Sequence, residues 1–96
     1  MSKPKETAGK PRWELMPFDA LELVAKVLTH GATEYEDEGW RAQENGARVY
    51  FAAAMRHLSA WRRGERIDPK SGLPHLAHAA CNVLIVLVHD ERNSTP

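Results

Sequence analysis

The sequence predicts an all-α domain. Apolar residues recur at spacings of three and four, and the segments so patterned are separated by glycine, Asn-Gly and Asp-Pro turn chemistry. No strand-type alternation and no internal repeat competes with that reading. Ninety-six residues suffice for one small domain, which buries about 60–65% of its unfolded surface.

Residues 1–11, MSKPKETAGKP, are charged and proline-rich and are expected to form a flexible tail. In RWELMPFDALELVAKVLTHGATEYEDEGW, residues Leu21, Val24, Leu28, Ala32 and Tyr35 make a helical stripe, with Asp19 and Glu22 as a D-x-x-E start signal. Gly31 costs this helix about 1 kcal/mol relative to Ala, so the helix bends or ends there, and Gly39 is expected to stop it. Asn45-Gly46 opens a second helix through VYFAAAMRHLSAW, which is apolar nearly all round and therefore expected to be central and buried; Gly64 ends it. Asp68-Pro69-Lys70-Ser71-Gly72 is a turn, and Pro74 suits the first turn of a third helix, HLAHAACNVLIVLVHD. Residues 90–96 are expected to fray, leaving 12–89 as the domain. Two helices this apolar cannot cover each other in one small chain, so a homodimer or homotetramer is expected.

Charge and composition narrow the function. Thirteen basic residues balance thirteen acidic ones, leaving no net field to hold a nucleic-acid polymer. The only cysteine, Cys81, excludes a disulfide framework and a thiolate metal cluster. The longest apolar run, Val83 to Val88, is too short to cross a bilayer, so a cytoplasmic protein acting on a small ligand is expected.

Acid pairs occur at helix-compatible spacing in three places. Asp19 with Glu22 reads most simply as a helix start. The run EYEDE, with Glu34, Asp37 and Glu38, is either a solvated face or half of an oxygen cage for Mg²⁺ or Mn²⁺. Glu65 and Asp68 lie where the second helix hands the chain to the third, the sort of loop on which functional groups gather. His75, His78, Asn82 and, two turns on, His89 form one polar line along an otherwise apolar helix. Core histidines with satisfied hydrogen bonds would explain two of them, but three aligned polar groups favour a facing polar cavity, since each left unpaired costs about 1–3 kcal/mol. His57 shares a stripe with Tyr50, Ala54 and Trp61 and adds to the same wall. Zinc is disfavoured, because carboxylates outnumber histidines and no cysteine pair exists. Lys26 and Arg56 interrupt apolar stretches and are candidates for phosphate contact. Trp40 and Trp61 are candidates for stacking on a base, with core packing as the alternative.

The stretches RWELMPFDALELVAKVLTHGA, EYEDEGW, RHLSAWRRGERIDP and SGLPHLAHAACN resemble the phage-type dATP/dGTP diphosphohydrolases, small relatives of the MazG all-α nucleoside triphosphate pyrophosphohydrolases. The resemblance runs from about Arg12 to Val88. It implies a three-to-four-helix MazG-like bundle completed by oligomerisation, in the cytoplasm of a host cell if phage-encoded. It also implies Mg²⁺- or Mn²⁺-dependent cleavage of a purine deoxynucleoside triphosphate between the α- and β-phosphates. One departure concerns the ligands. The broader MazG group carries E-x-x-E on one core helix and E-x-x-D on the next, whereas Ala47 to Arg63 and His75 to His89 contain no carboxylate. His57, His78 and Asn82 fall near those places, and Gly39 stands where an Asn is expected before Trp40. The expected metal ligands are therefore Glu34, Asp37, Glu38, Glu65 and Asp68. Glu65, Asp68, His75 and His78 are the expected catalytic groups, and Lys26, Arg56, His57, Asn82, Trp40 and Trp61 the expected substrate contacts. Two other readings stand beside the enzyme: a non-catalytic helical module that binds a nucleotide or a protein, and a histidine-aspartate phosphohydrolase built on His89-Asp90.

Overall fold

The computed structural model describes residues 8–94, so most of the expected N-terminal tail and the last two residues lie outside the described part. Within it are three α-helices, α1 (Phe18–Ala32), α2 (Gly46–Arg62) and α3 (His75–Ser94), plus short 3-10 turns at Trp13–Leu15 and Gly39–Ala42. The chain is all-helical, as the periodicity predicts; among the described residues the one β-type pairing is an isolated bridge between Ile67 and Pro74.

Local chemistry explains most of the boundaries. Asn45 takes a left-handed φ of 54° and turns the chain into α2. At the other end Gly64, with a φ of 104°, closes α2 by donating its N–H to the Trp61 carbonyl, while Glu65 N–H reaches the Ala60 carbonyl. Pro74 stands immediately before α3, and its carbonyl accepts the N–H groups of Ala77 and His78. The boundaries of α1 correct the sequence reading. Asp19 accepts its own neighbour's N–H, from Ala20, instead of capping at N3, and Pro17 precedes the helix. Past Gly31 the helix does not resume: Glu34 and Tyr35 both donate to the Gly31 carbonyl, and the Thr33 hydroxyl donates to His30. Tyr35 therefore leaves the stripe and is exposed, and Gly39 opens a 3-10 turn rather than stopping a helix. At the C-terminal end Asp90 to Ser94 continue α3, where a frayed tail was expected.

The central helix is α3, not α2. It packs against both other helices and against the Gly39–Ala42 turn, and it carries His75, Ala77, Ala79, Cys81, Ile85 and His89 into the interior. Only Gly46 and Ala54 of α2 are buried. Val24, Cys81 and Ile85 form the core, with Val27, Trp40 and Tyr50 against them. Burial pushes the Cys81 thiol pKa up, which keeps it protonated and inert. Large apolar side chains on every helix remain exposed, Phe18, Leu28, Phe51, Met55, Leu84 and Leu87 among them. No helix among the described residues is long and apolar enough to cross a membrane.

His89 is a clip in that core. Its ring is 3% exposed. Nε2 donates to the Trp40 carbonyl at 2.8 Å, and Nδ1 accepts from Arg92 Nη2 at 2.8 Å, so the ring is a neutral Nε2–H tautomer. Arg92 also donates to the Arg41 carbonyl, so α3 ties the Gly39–Ala42 turn down at two carbonyls. His89 is thereby committed to structure, and its neighbour Asp90 is exposed, which removes the support for a histidine-aspartate phosphohydrolase.

Candidate active site

The loop from Gly64 to Pro74 returns on itself. Asp68 N–H donates to the Leu73 carbonyl, Gly72 N–H to the Asp68 carbonyl, and His75 N–H to the Arg66 carbonyl. Gly72 holds a φ of 74°, which its lack of a Cβ permits. That closure sets Glu65, Asp68 and Ser71 over the first turn of α3, and the antiparallel return brings His57 of α2 to the same point.

Two hydrogen-bonded chains result. In the first, Glu65 Oε1 lies 2.6 Å from His75 Nε2, and His75 Nδ1 lies 2.9 Å from His57 Nδ1. In the second, the Ser71 hydroxyl donates to Asp68 Oδ2 at 2.9 Å and lies 2.7 Å from His78 Nε2. Ser71 Oγ also accepts the Leu73 N–H. Since a hydroxyl has one proton, and Asp68 takes it, His78 Nε2–H is the donor to Ser71. The two chains touch through their rings: His57 stacks on His78 with centroids 4.4 Å apart and planes within 9°.

Burial and charge keep these rings neutral. His57 and His78 both have pKa values below the usual 6.5, first because burial disfavours the imidazolium. For His57 the adjacent His78 and His75 add to this; for His78 the Asp68 carboxylate opposes it without prevailing. Burial would raise the Asp68 carboxyl, but the Ser71 hydroxyl, the Lys70 N–H and the two histidines outweigh it and hold the pKa below its usual value.

The expected site residues divide accordingly. Glu65, Asp68, His75, His78 and His57 are brought together. Asn82, one turn further along α3, is half-buried and takes no part in either chain. Glu34, Asp37 and Glu38 lie on the exposed loop after α1, Glu38 facing Arg41 at 3.4 Å. Trp40 packs against His89 and carries the Arg41 guanidinium over its ring at 4.4 Å, a structural placement, whereas Trp61 is exposed. Lys26 is exposed on α1, and Arg56 edges an open cavity of about 400 Å³ with Asn45, Arg48, Val49 and Ala52. Ser71 was missed, although its place three residues after Asp68 is the usual signature of a side chain closing an Asp-initiated turn.

The carboxylates of this cluster are engaged by hydrogen bonds to histidine, serine and backbone. Among the described residues, no group of three or more His, Cys, Asp or Glu side chains is placed to hold a metal ion. One chain alone therefore does not offer a metal cage.

Fold and cluster together define the class: a small all-helical domain whose acid–base groups are seated where two helices and their connecting loop meet. A family model described as dATP/dGTP diphosphohydrolase, N-terminal, matches residues 1–95, and the chain belongs to that family. No curated protein and no solved structure matches it.

Proposed function

We propose that the protein hydrolyses a purine deoxynucleoside triphosphate, dGTP or dATP, to the monophosphate and pyrophosphate through attack of water on the α-phosphorus. The observation that carries this reading is the gathering of Glu65, Asp68, His57, His75 and His78 in a chain of this family. Neutral imidazoles backed by carboxylates are suited to taking a proton from water near neutral pH.

The triphosphate needs positive charge, and Lys26 and Arg56 are exposed cations that meet no carboxylate in the described ion pairs. Trp61 offers an exposed ring for the base. The proposed Mg²⁺ or Mn²⁺ arrives on the triphosphate, where phosphate oxygens and water supply most ligands and one or two carboxylates suffice. Glu34 and Asp37, exposed and outside both hydrogen-bonded chains, are the side chains for that role. When bound, such an ion polarises the phosphates and offsets the charge on the departing pyrophosphate.

Incubation with each deoxynucleoside triphosphate and Mg²⁺ or Mn²⁺ tests the reading. Monophosphate and pyrophosphate are expected from dGTP or dATP; their absence with every substrate and ion ends the enzyme reading. The extensive exposed apolar surface favours a second reading, a module that binds nucleotide or protein without chemistry. It is distinguished by a nucleotide-dependent rise in melting temperature without product.

A further inference from the structure

We propose that Glu65, His75 and His57 form a proton relay in which His57 Nε2 is the general base. This rests on the diphosphohydrolase reading and assigns its acid–base step. A carboxylate can only accept, so His75 Nε2 carries the proton shared with Glu65 at 2.6 Å. A neutral His75 then presents a lone pair at Nδ1, and the 2.9 Å contact there makes His57 Nδ1 the donor. The proton order leaves His57 Nε2 as an unprotonated nitrogen at the end of the chain. That nitrogen has no hydrogen-bond partner, yet among the described residues no buried side-chain nitrogen or oxygen lacks one, so Nε2 is open to solvent. The His78 ring stacked on His57 holds its plane.

The step balances. Water oxygen forms the bond to the α-phosphorus, the bond from that phosphorus to the bridging oxygen breaks, and pyrophosphate leaves with the electron pair. The water proton goes to His57 Nε2 while the Nδ1 proton moves toward His75 Nδ1, so the new positive charge comes to lie against Glu65, as an ion pair rather than an isolated buried cation. His75 and Glu65 are positioning residues; His57 alone meets the reacting water.

Nitrogen-15 NMR of the histidine rings reads the proton order without any turnover. The expected pattern is His57 protonated at Nδ1 and bare at Nε2, with His75 protonated at Nε2; a His57 protonated at Nε2 overturns the relay. In kinetics, His57→Gln is expected to lower kcat at least about 100-fold with KM little changed, the usual scale for a lost general base. Glu65→Gln is expected to lower kcat without altering the Mn²⁺ concentration that gives half-maximal rate. If Glu65→Gln instead regains full kcat at higher Mn²⁺, Glu65 is a metal ligand and the relay fails. Turnover that survives His57→Gln but not His78→Gln gives the base role to His78 and also overturns it. Absence of turnover in the unsubstituted protein sinks the diphosphohydrolase reading and the base role together, whereas active protein with an indifferent His57→Gln sinks the relay alone.

Discussion

Gly46 shows how tightly one residue can be held by another far away in sequence. A Cβ added there would overlap three atoms of the His89 ring, which itself is pinned between the Trp40 carbonyl and Arg92. The ring has no free direction in which to yield, because moving it breaks one of two hydrogen bonds of a buried group. Gly46→Ala is therefore expected to destabilise the protein by about 1–3 kcal/mol, the range for an overpacked core, even though alanine is the better helix former by about 1 kcal/mol. Urea unfolding at neutral pH measures this, and an unchanged or higher midpoint would mean that the ring is not fixed where its hydrogen bonds put it. Phe18→Ala on exposed α1 supplies a contrast, since Phe18 is 59% exposed.

At the scale of elements, the joint between α2 and α3 should respond to pH. His57 on α2 and His78 on α3 have folded-state pKa values below the unfolded 6.5. Between those values and 6.5 the unfolded chain binds protons that the folded chain refuses, so stability falls as pH falls below about 6.5 and is complete above it. Asp68 works in a separate, more acid window: its pKa lies below the unfolded 3.8, so the stability it contributes is lost as pH drops through and below that value. The melting temperature is expected to decline from pH 7.5 to 5.5 and to decline less steeply in His78→Gln. A melting temperature that rises on acidification would show the rings to be stabilised as cations.

This joint was also the part of the site most legible in the sequence, since Glu65, Asp68, His75 and His78 sit within fourteen residues flanked by Gly64 and Pro74. Asparagine, glycine and proline fix φ or remove a donor locally, which is why the ends of α2 and α3 could be read. The C-terminal end of α1 could not, because Tyr35 continues the spacing and only the capture of the Gly31 carbonyl shows that the helix has closed. His89 carried the same periodic signal as His75 and His78, and what separates them is a partner, the Trp40 carbonyl, forty-nine positions away. Periodicity reports the face of a helix, not what stands opposite it. The central position of α3 was hidden for the same reason: α2 is the more evenly apolar by sequence, but α1 packs on α3 alone.

The whole molecule is more open than its length requires. Its radius of gyration is 16.1 Å, against about 13 Å for a compact domain near 100 residues. Phe51 and Met55 of α2 and Val83 and Leu87 of α3 stay in solvent, on the two helices that also carry the histidines. Leaving such side chains wet forfeits about 1.5–3 kcal/mol for each that could otherwise be fully buried. A second copy supplies the missing cover with no further sequence, and a self-complementary two-fold interface is the simplest geometry that leaves no apolar face over. We therefore expect sedimentation equilibrium at tens of micromolar to give at least twice the 10.8 kDa chain mass. Phe51→Glu should move the population toward the monomer, because a carboxylate buried without a partner disfavours association far more than it disturbs an exposed position on a lone helix. Circular dichroism separates the two effects: helicity retained with mass halved is the expected pair of results. A mass of one chain for the unsubstituted protein would show that these apolar faces stand open for some other occupant.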